Sequence, residues 1–173
     1  MSFYLIFYVF DMDIAEKSKL SFEHIEKRYG KKAVLKGLSG QIPNRKITSL
    51  IGPNGAGKST LLSIISRLLK QDGGDVFFVD KLLHAYKGDE LATQLSILKQ
   101  SNHLDLKLTV RDLVSFGRFP YCKGRLKDED WAKVDEALTF SALTDLQHAY
   151  IDELSGGQRQ RAFIAMIIAQ DTE

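Results

Sequence analysis

Eight consecutive residues constrain this chain more than any others: Gly52-Pro53-Asn54-Gly55-Ala56-Gly57-Lys58-Ser59. They fit G-x-x-x-x-G-K-[ST] and lie between two patterned segments. Before them, Lys46 to Ile51 reads as an apolar strand. After them, Leu61, Leu62, Ile64, Ile65, Leu68 and Leu69 recur at helical spacing between Ser59 and Lys70. A loop that wraps a chain of phosphates must turn tightly and bring backbone N–H groups close to oxygen, which glycine permits. The helix that follows aims its unpaired N–H groups and the positive end of its dipole at the anion. In this setting Lys58 reaches the β- and γ-phosphate oxygens, the Ser59 hydroxyl ligates Mg²⁺, and Thr60 lies within reach of the α-phosphate. The motif alone does not choose among nucleotide-binding families.

The remaining pattern is that of an α/β protein. Leu20 to Ile25 alternates apolar and polar residues as a half-buried strand does, and Tyr29-Gly30-Lys31-Lys32 reads as a turn into a second strand, Ala33 to Gln41. Pro43-Asn44-Arg45 forms another turn. Gly73-Gly74 is placed at the end of the helix after the loop, followed by a strand from Asp75 to Val79. A short helix over Leu91–Leu95 and a short buried strand over Ser96–Lys99 are expected next. Beyond Gln100 the texture turns helical. Thr109-x-x-Asp112 resembles a capping box, Asp128 to Phe140 carries Trp131, Val134 and Leu138 at helical spacing, and Arg161 to Gln170 is an apolar helix.

Composition narrows the class. The 173 residues suffice for one ordinary domain with a sizeable core, and 24 Lys+Arg against 22 Asp+Glu give no sign of a nucleic-acid-binding surface. A single cysteine, Cys122, excludes an internal disulfide and reads as a packed or surface thiol. His24, His84, His103 and His148 match no catalytic position. Phe3 to Phe10 (FYLIFYVF) is shorter than the ~20 apolar residues of a membrane helix, and it lacks the basic start and cleavage site of a secretory signal. It reads as an extra strand, as upstream sequence with Met12 as another start, or as a peripheral membrane anchor.

A second motif, Leu154-Ser155-Gly156-Gly157-Gln158, follows about a hundred residues later and continues Arg159-Gln160-Arg161. Locally it is a serine-capped helix start, hence a second anion-seeking helix end. Here the sequence resembles the ABC ATPases, whose signature reads LSGGQ. The resemblance implies a P-loop NTPase with a RecA-like core, an antiparallel β subdomain and an ABC helical subdomain. It divides the chain into an atypical extension over 1–18 and a partial ATPase domain over 19–173. Within that domain, 19–100 is the nucleotide-binding core, 101–154 the helical subdomain, and 155–173 the signature and following helix. It also implies head-to-tail pairing of two copies, with ATP held between Gly52–Thr60 of one and Leu154–Gln158 of the other.

By the same resemblance, Tyr29 stacks on adenine, and Gln100 is the glutamine-loop residue that touches Mg²⁺ and the attacking water. The family's Asp-Glu strand, which supplies the water-activating acid, and its switch histidine come after the signature helix. Asp171 and Glu173 are not those carboxylates, because no apolar strand precedes them. The resemblance therefore covers the front part of a subunit, and this polypeptide is expected to hydrolyse ATP poorly.

Leu108 to Tyr121 (LTVRDLVSFGRFPY) and the mixed-charge stretch Lys123 to Asp130 resemble the ATPases of bacterial iron–siderophore importers. That resemblance implies transmembrane permease subunits as partners, an extracellular substrate-binding protein acting through them, and a place at the cytoplasmic face of the cell membrane. The alternatives are a catalytically incomplete fragment that binds nucleotide only, and a soluble ABC protein that serves no transporter.

Overall fold

The computed structural model describes residues 19–98, 107–122 and 124–172. The apolar run Phe3–Phe10, Met12, Gln100 and His103 lie outside the described residues. The chain forms two compact units, the first ending at Tyr86 and the second beginning at Lys87.

In the first unit, strand β1 (Leu20–Tyr29) pairs antiparallel with both β2 (Lys32–Ile42) and β3 (Gly73–Phe78), and β3 pairs with the short β4 (Lys81–Leu82), giving the order β2-β1-β3-β4. Leu20, Phe22 and Ile25 of β1 are buried. Two residues separate Phe22 from Ile25, so strict alternation would turn one of them outward. A bulge resolves the conflict: the register shifts between these residues, and His24 takes φ 50° with its N–H donating to Ser39 Oγ at 2.9 Å. Helix α1 (Lys58–Ile65) turns Leu61, Ile64 and Ile65 into this core.

Two expectations for this unit are corrected. Helix α1 ends at Ile65 rather than near Lys70. Arg67 adopts φ 59°, its N–H donates to Ile64 O (2.9 Å), and Leu68 N donates to Ser63 O (2.8 Å). This is a Schellman stop with arginine in the left-handed position where glycine is usual. Gly73-Gly74 instead opens β3. The strand expected over Lys46–Ile51 is absent from the sheet, and Ile47 and Ile51 are 99% and 72% exposed. A strand preceding such a loop is buried when neighbours flank it and helices cover both faces. Among the described residues no strand pairs with this one.

The second unit is helical: α2 (Gly88–Ala92), α3 (Val110–Ser115), α4 (Phe119–Cys122), α5 (Asp128–Phe140) and α6 (Gly156–Ala169), with a 3₁₀ turn over Phe116–Arg118. Its core joins Val110, Leu113 and Val114 to Val134, Ala137 and Leu138, and to Ala162, Phe163, Ala165 and Ala169. The Thr109 box forms as expected: Thr109 Oγ1 accepts from Asp112 N, and Asp112 Oδ2 accepts from Thr109 N, both at 3.1 Å. Helix α5 has the expected bounds. The helix expected over Leu91–Leu95 starts earlier, at Gly88. The expected strand does not form over Ser96–Leu98, and Lys99 lies outside the described residues. Helix α6 starts at Gly156, five residues before the apolar pattern becomes evident.

Candidate functional site

The loop from Gly52 to Gly57 leaves the surface and descends onto β2. Gly57 is buried, has φ 94°, and occupies the N-cap of α1. A Cβ there would lie 2.9 Å from Leu35 Cδ2 and 3.1 Å from Val34 Cγ1. Conformation therefore favours glycine at this corner, and Leu35 and Val34 would have to shift to admit a Cβ. Ala56 N donates to Pro53 O at 3.3 Å, closing the loop's inner turn, and Leu61 N donates to Gly57 O at 2.8 Å as the first bond of the helix.

The chemistry collects at the start of α1. Among the described residues no side chain caps this end, and the first turn holds no acid, so neither offsets the N–H groups and dipole of the helix. Lys58 folds back over the loop, with Nζ donating to Gly52 O at 2.7 Å and to Pro53 O at 2.9 Å. A full positive charge thus rests on two neutral carbonyl oxygens beside an uncapped helix end. Phosphate oxygens would offer that ammonium acceptors of opposite charge in place of neutral ones. Gly52, Pro53, Asn54 and Gly55 are exposed, as is Ser59, while Ala56 and Thr60 are half-buried. Tyr29 closes β1 opposite Lys32, and the residue is 53% exposed.

The signature residues belong to the second unit. Leu154 is buried in the helical core and anchors the turn. Ser155 is the N-cap of α6: its Oγ accepts from Gln158 N at 3.3 Å, and its own N–H donates to Gln158 Oε1 at 2.9 Å. Serine and glutamine thus close a reciprocal capping box. Gly156 and Gly157 are exposed, and a Cβ on either would meet only open space. Among the described residues nothing requires glycine there.

The structure brings Gly52–Thr60 into one continuous cradle and places Tyr29 in the same unit. It places Leu154–Gln158 in the other unit, and Gln100 lies outside the described residues. Sequence reasoning missed the supports. Val34 and Leu35 seat Gly57, and Arg159 Nε donates to Ile151 O at 3.2 Å, tying the first turn of α6 to the segment before it. The apolar character of Val34 and Leu35 was visible, but their distance from Gly57 in sequence hid the contact.

Comparison with known proteins places these features. The family model described as ABC transporter matches residues 35–173. The petrobactin import ATP-binding protein YclP of Bacillus subtilis (strain 168) is 56% identical over 150 residues, covering 87% of this chain and 60% of that protein. The iron(3+)-hydroxamate import ATP-binding protein FhuC of the same strain is 42% identical over 158 residues, covering 90% and 59%. This chain therefore spans about three-fifths of the length of these curated relatives. Among solved structures, the ATP-binding cassette MJ1267 of an ABC transporter superposes with a TM-score of 0.78 at 28% identity, covering 90% of this chain and 66% of the other. The protein cbiO1 of Clostridium perfringens, part of the transporter complex cbiONQ, gives 0.75 at 28%, covering 91% and 63%. An uncapped glycine loop with a folded-back lysine, a serine-glycine helix start and a match over most of the chain lead to one assignment: the chain belongs to the ABC transporter family.

Proposed function

We propose that this chain is the nucleotide-binding portion of an ATP-driven importer subunit, coupling ATP binding and hydrolysis to the uptake of iron–siderophore complexes. The observation that carries the nucleotide reading is the Lys58 ammonium, poised on loop carbonyls at an acid-free, uncapped helix start. On this reading Gly52, Pro53, Asn54, Gly55, Ala56 and Gly57 surround the phosphates, Lys58 and Thr60 contact them, and Tyr29 stacks on the base. Leu154, Ser155, Gly156, Gly157 and Gln158 close over the nucleotide of a second copy, which makes two equivalent sites about a two-fold axis.

Magnesium fits this donor set. Among the described residues no cluster of three or more His, Cys, Asp or Glu could hold a metal alone. Ser59 offers a hydroxyl next to the cradle, the kind of sparse oxygen site that Mg²⁺ completes with water and substrate phosphates. Mg²⁺ would supply neutralisation of phosphate charge. Ser59, together with Gln100, would be its protein ligands.

The import reading rests on the relatives, whose names specify petrobactin and iron–hydroxamate uptake. It makes transmembrane permeases the direct partners and an external binding protein an indirect one, and it places the subunit at the cytoplasmic membrane face. No helix among the described residues is long and apolar enough to cross a membrane; on the import reading attachment comes through the permeases. We read 19–100 as the nucleotide core, 101–154 as the permease-facing helical part, and 155–173 as the signature segment. Titration of the chain with a fluorescent ATP analogue and Mg²⁺ tests the nucleotide reading: saturable binding is expected, and its absence would overturn it. Copurification with permease subunits, and restored ferric-siderophore uptake in cells lacking the corresponding ATPase, test the import reading.

A further inference from the structure

The signature helix α6 is gripped at its far end by a buried arginine. Arg118 and Asp130 are both buried, with Arg118 Nε donating to Asp130 Oδ1 at 3.0 Å. The same guanidinium donates through Nη1 to Ala169 O at 3.0 Å, taking up a carbonyl that α6 itself leaves without a partner. Its Cζ lies 4.0 Å from the centroid of the Tyr121 ring, and Tyr121 Oη is 3.3 Å from Asp171 O. Asp130 in turn accepts from Lys127 N at 3.1 Å at the start of α5. The adjoining turn is pressed against α6: a Cβ on Gly117 would come within 2.2 Å of Met166 O.

The flanks of α6 are held by apolar packing of Ala162, Phe163, Ala165 and Ala169. Such contacts are non-directional; the directional bonds of α6 include Arg159 Nε to Ile151 O in its first turn and Arg118 Nη1 to Ala169 O in its last, and these fix its position along and about its axis. Helix α6 has 14 residues, so its ends are about 20 Å apart, and a straight helix carries an axial displacement from one end to the other. We propose that Arg118 is a positioning residue for the signature: by clamping the C-terminal end of α6 to the start of α5, it sets where Ser155 and the amides of Gly156–Gln158 are presented.

The part of this inference that concerns pairing rests on the head-to-tail reading above; the part that concerns α6 does not. The test compares Arg118→Lys, which keeps the charge but loses the fork that reaches two acceptors at once, with Asp130→Asn, which weakens the ion pair but leaves the bond to Ala169 O. Two quantities are measured on the intact chain: hydrogen exchange of the nucleotide-free protein at residues 158–161, and self-association with Mg²⁺ and a hydrolysis-resistant ATP analogue. Arg118→Lys is expected to speed exchange at 158–161 and to weaken association by about fivefold or more, within the usual range of coupling between sites. Exchange over Lys58–Ile65 and nucleotide affinity at low protein concentration should stay as in the parent. Asp130→Asn, which loosens the attachment to α5 but keeps the bond to Ala169 O, is expected to lower the melting temperature and to speed exchange at 158–161 less than Arg118→Lys does.

If Arg118→Lys leaves exchange at 158–161 as in the parent, or speeds it only near 166–170, the clamp serves stability alone and the inference fails. If Arg118→Lys does not fold, Arg118→Met combined with Asp130→Leu removes both charges together and carries the same two outcomes. If the parent chain never associates with nucleotide, the head-to-tail reading falls, and exchange at 158–161 still decides the role of Arg118.

Discussion

Lys58 makes both of its hydrogen bonds to carbonyls of the loop that it closes, Gly52 O and Pro53 O. Removing the ammonium should therefore leave the fold intact and cost affinity. A hydrogen bond to a charged group contributes about 1.5–3 kcal/mol. Lys58→Ala is thus expected to weaken Mg–ATP binding by about ten- to a hundredfold, read by calorimetric titration, with an unchanged far-ultraviolet circular dichroism spectrum. Gly57 makes a different demand. Alanine there must hold φ 94° and press its Cβ toward Leu35 and Val34. The Leu35 methyl can swing aside, but the backbone has no such freedom. We expect Gly57→Ala to cost about 1–3 kcal/mol, the usual range for one residue held in a strained conformation. Urea unfolding would measure the cost, and nucleotide affinity should fall with it because the cradle must shift.

At the level of elements, the start of α5 carries a pH dependence. The Lys127 N–H, and then the Arg118 guanidinium, hold the Asp130 carboxyl below the usual carboxylate range, against the opposing effect of burial. A depressed pKa in the folded state means that the folded protein binds this proton less readily than the unfolded chain does. The resulting stability is fully present above the unfolded value, about 3.9, and is lost as pH falls through the lower folded value. The parent should lose stability over that acid window, and Asp130→Asn should lose less there while being less stable at neutral pH. Thermal melts between pH 2 and 7 would show both. The elements also separate what a sequence declares from what it withholds. Helix α5 was legible because its acids, Val134 and Leu138 form a local period, and the Thr109 box because it spans four residues. The end of α1 was not, because Arg67 takes a left-handed turn that propensity assigns to glycine. The bulge at His24 was masked by apparent alternation. The strands expected over Lys46–Ile51 and Ser96–Leu98 do not form for a further reason: a strand is completed by its neighbours, and local pattern does not reveal whether they pair with it.

For the molecule as a whole, the site was legible wherever it is contiguous. Gly52–Thr60 and Leu154–Gln158 each carry their chemistry in a short run, so loop, lysine and serine cap were found by reading along the chain. The supports were not, since Gly57 rests on Val34 and Leu35, and α6 is held by Arg118, through contacts between distant residues. The two helix starts read as phosphate-binding stand in separate units, and each has a different outer face. The first is filled by its own lysine. The second is bare, with Gly156 and Gly157 exposed and space above them. A bare glycine backbone next to a capped serine suits closure over an anion presented by another copy. Ser155→Arg tests this at the scale of the assembly. The substitution removes the acceptor for Gln158 N, which should cost about 1 kcal/mol as a lost N-cap, and it sets a long side chain where the second copy would close. On the proposed function, nucleotide binding by the isolated chain rests on the first unit and should match the parent within experimental error. Association in Mg²⁺ and a hydrolysis-resistant ATP analogue, followed by sedimentation velocity, should be abolished. A Ser155→Arg chain that pairs as tightly as the parent would place the closing surface elsewhere and leave the serine with only its capping role.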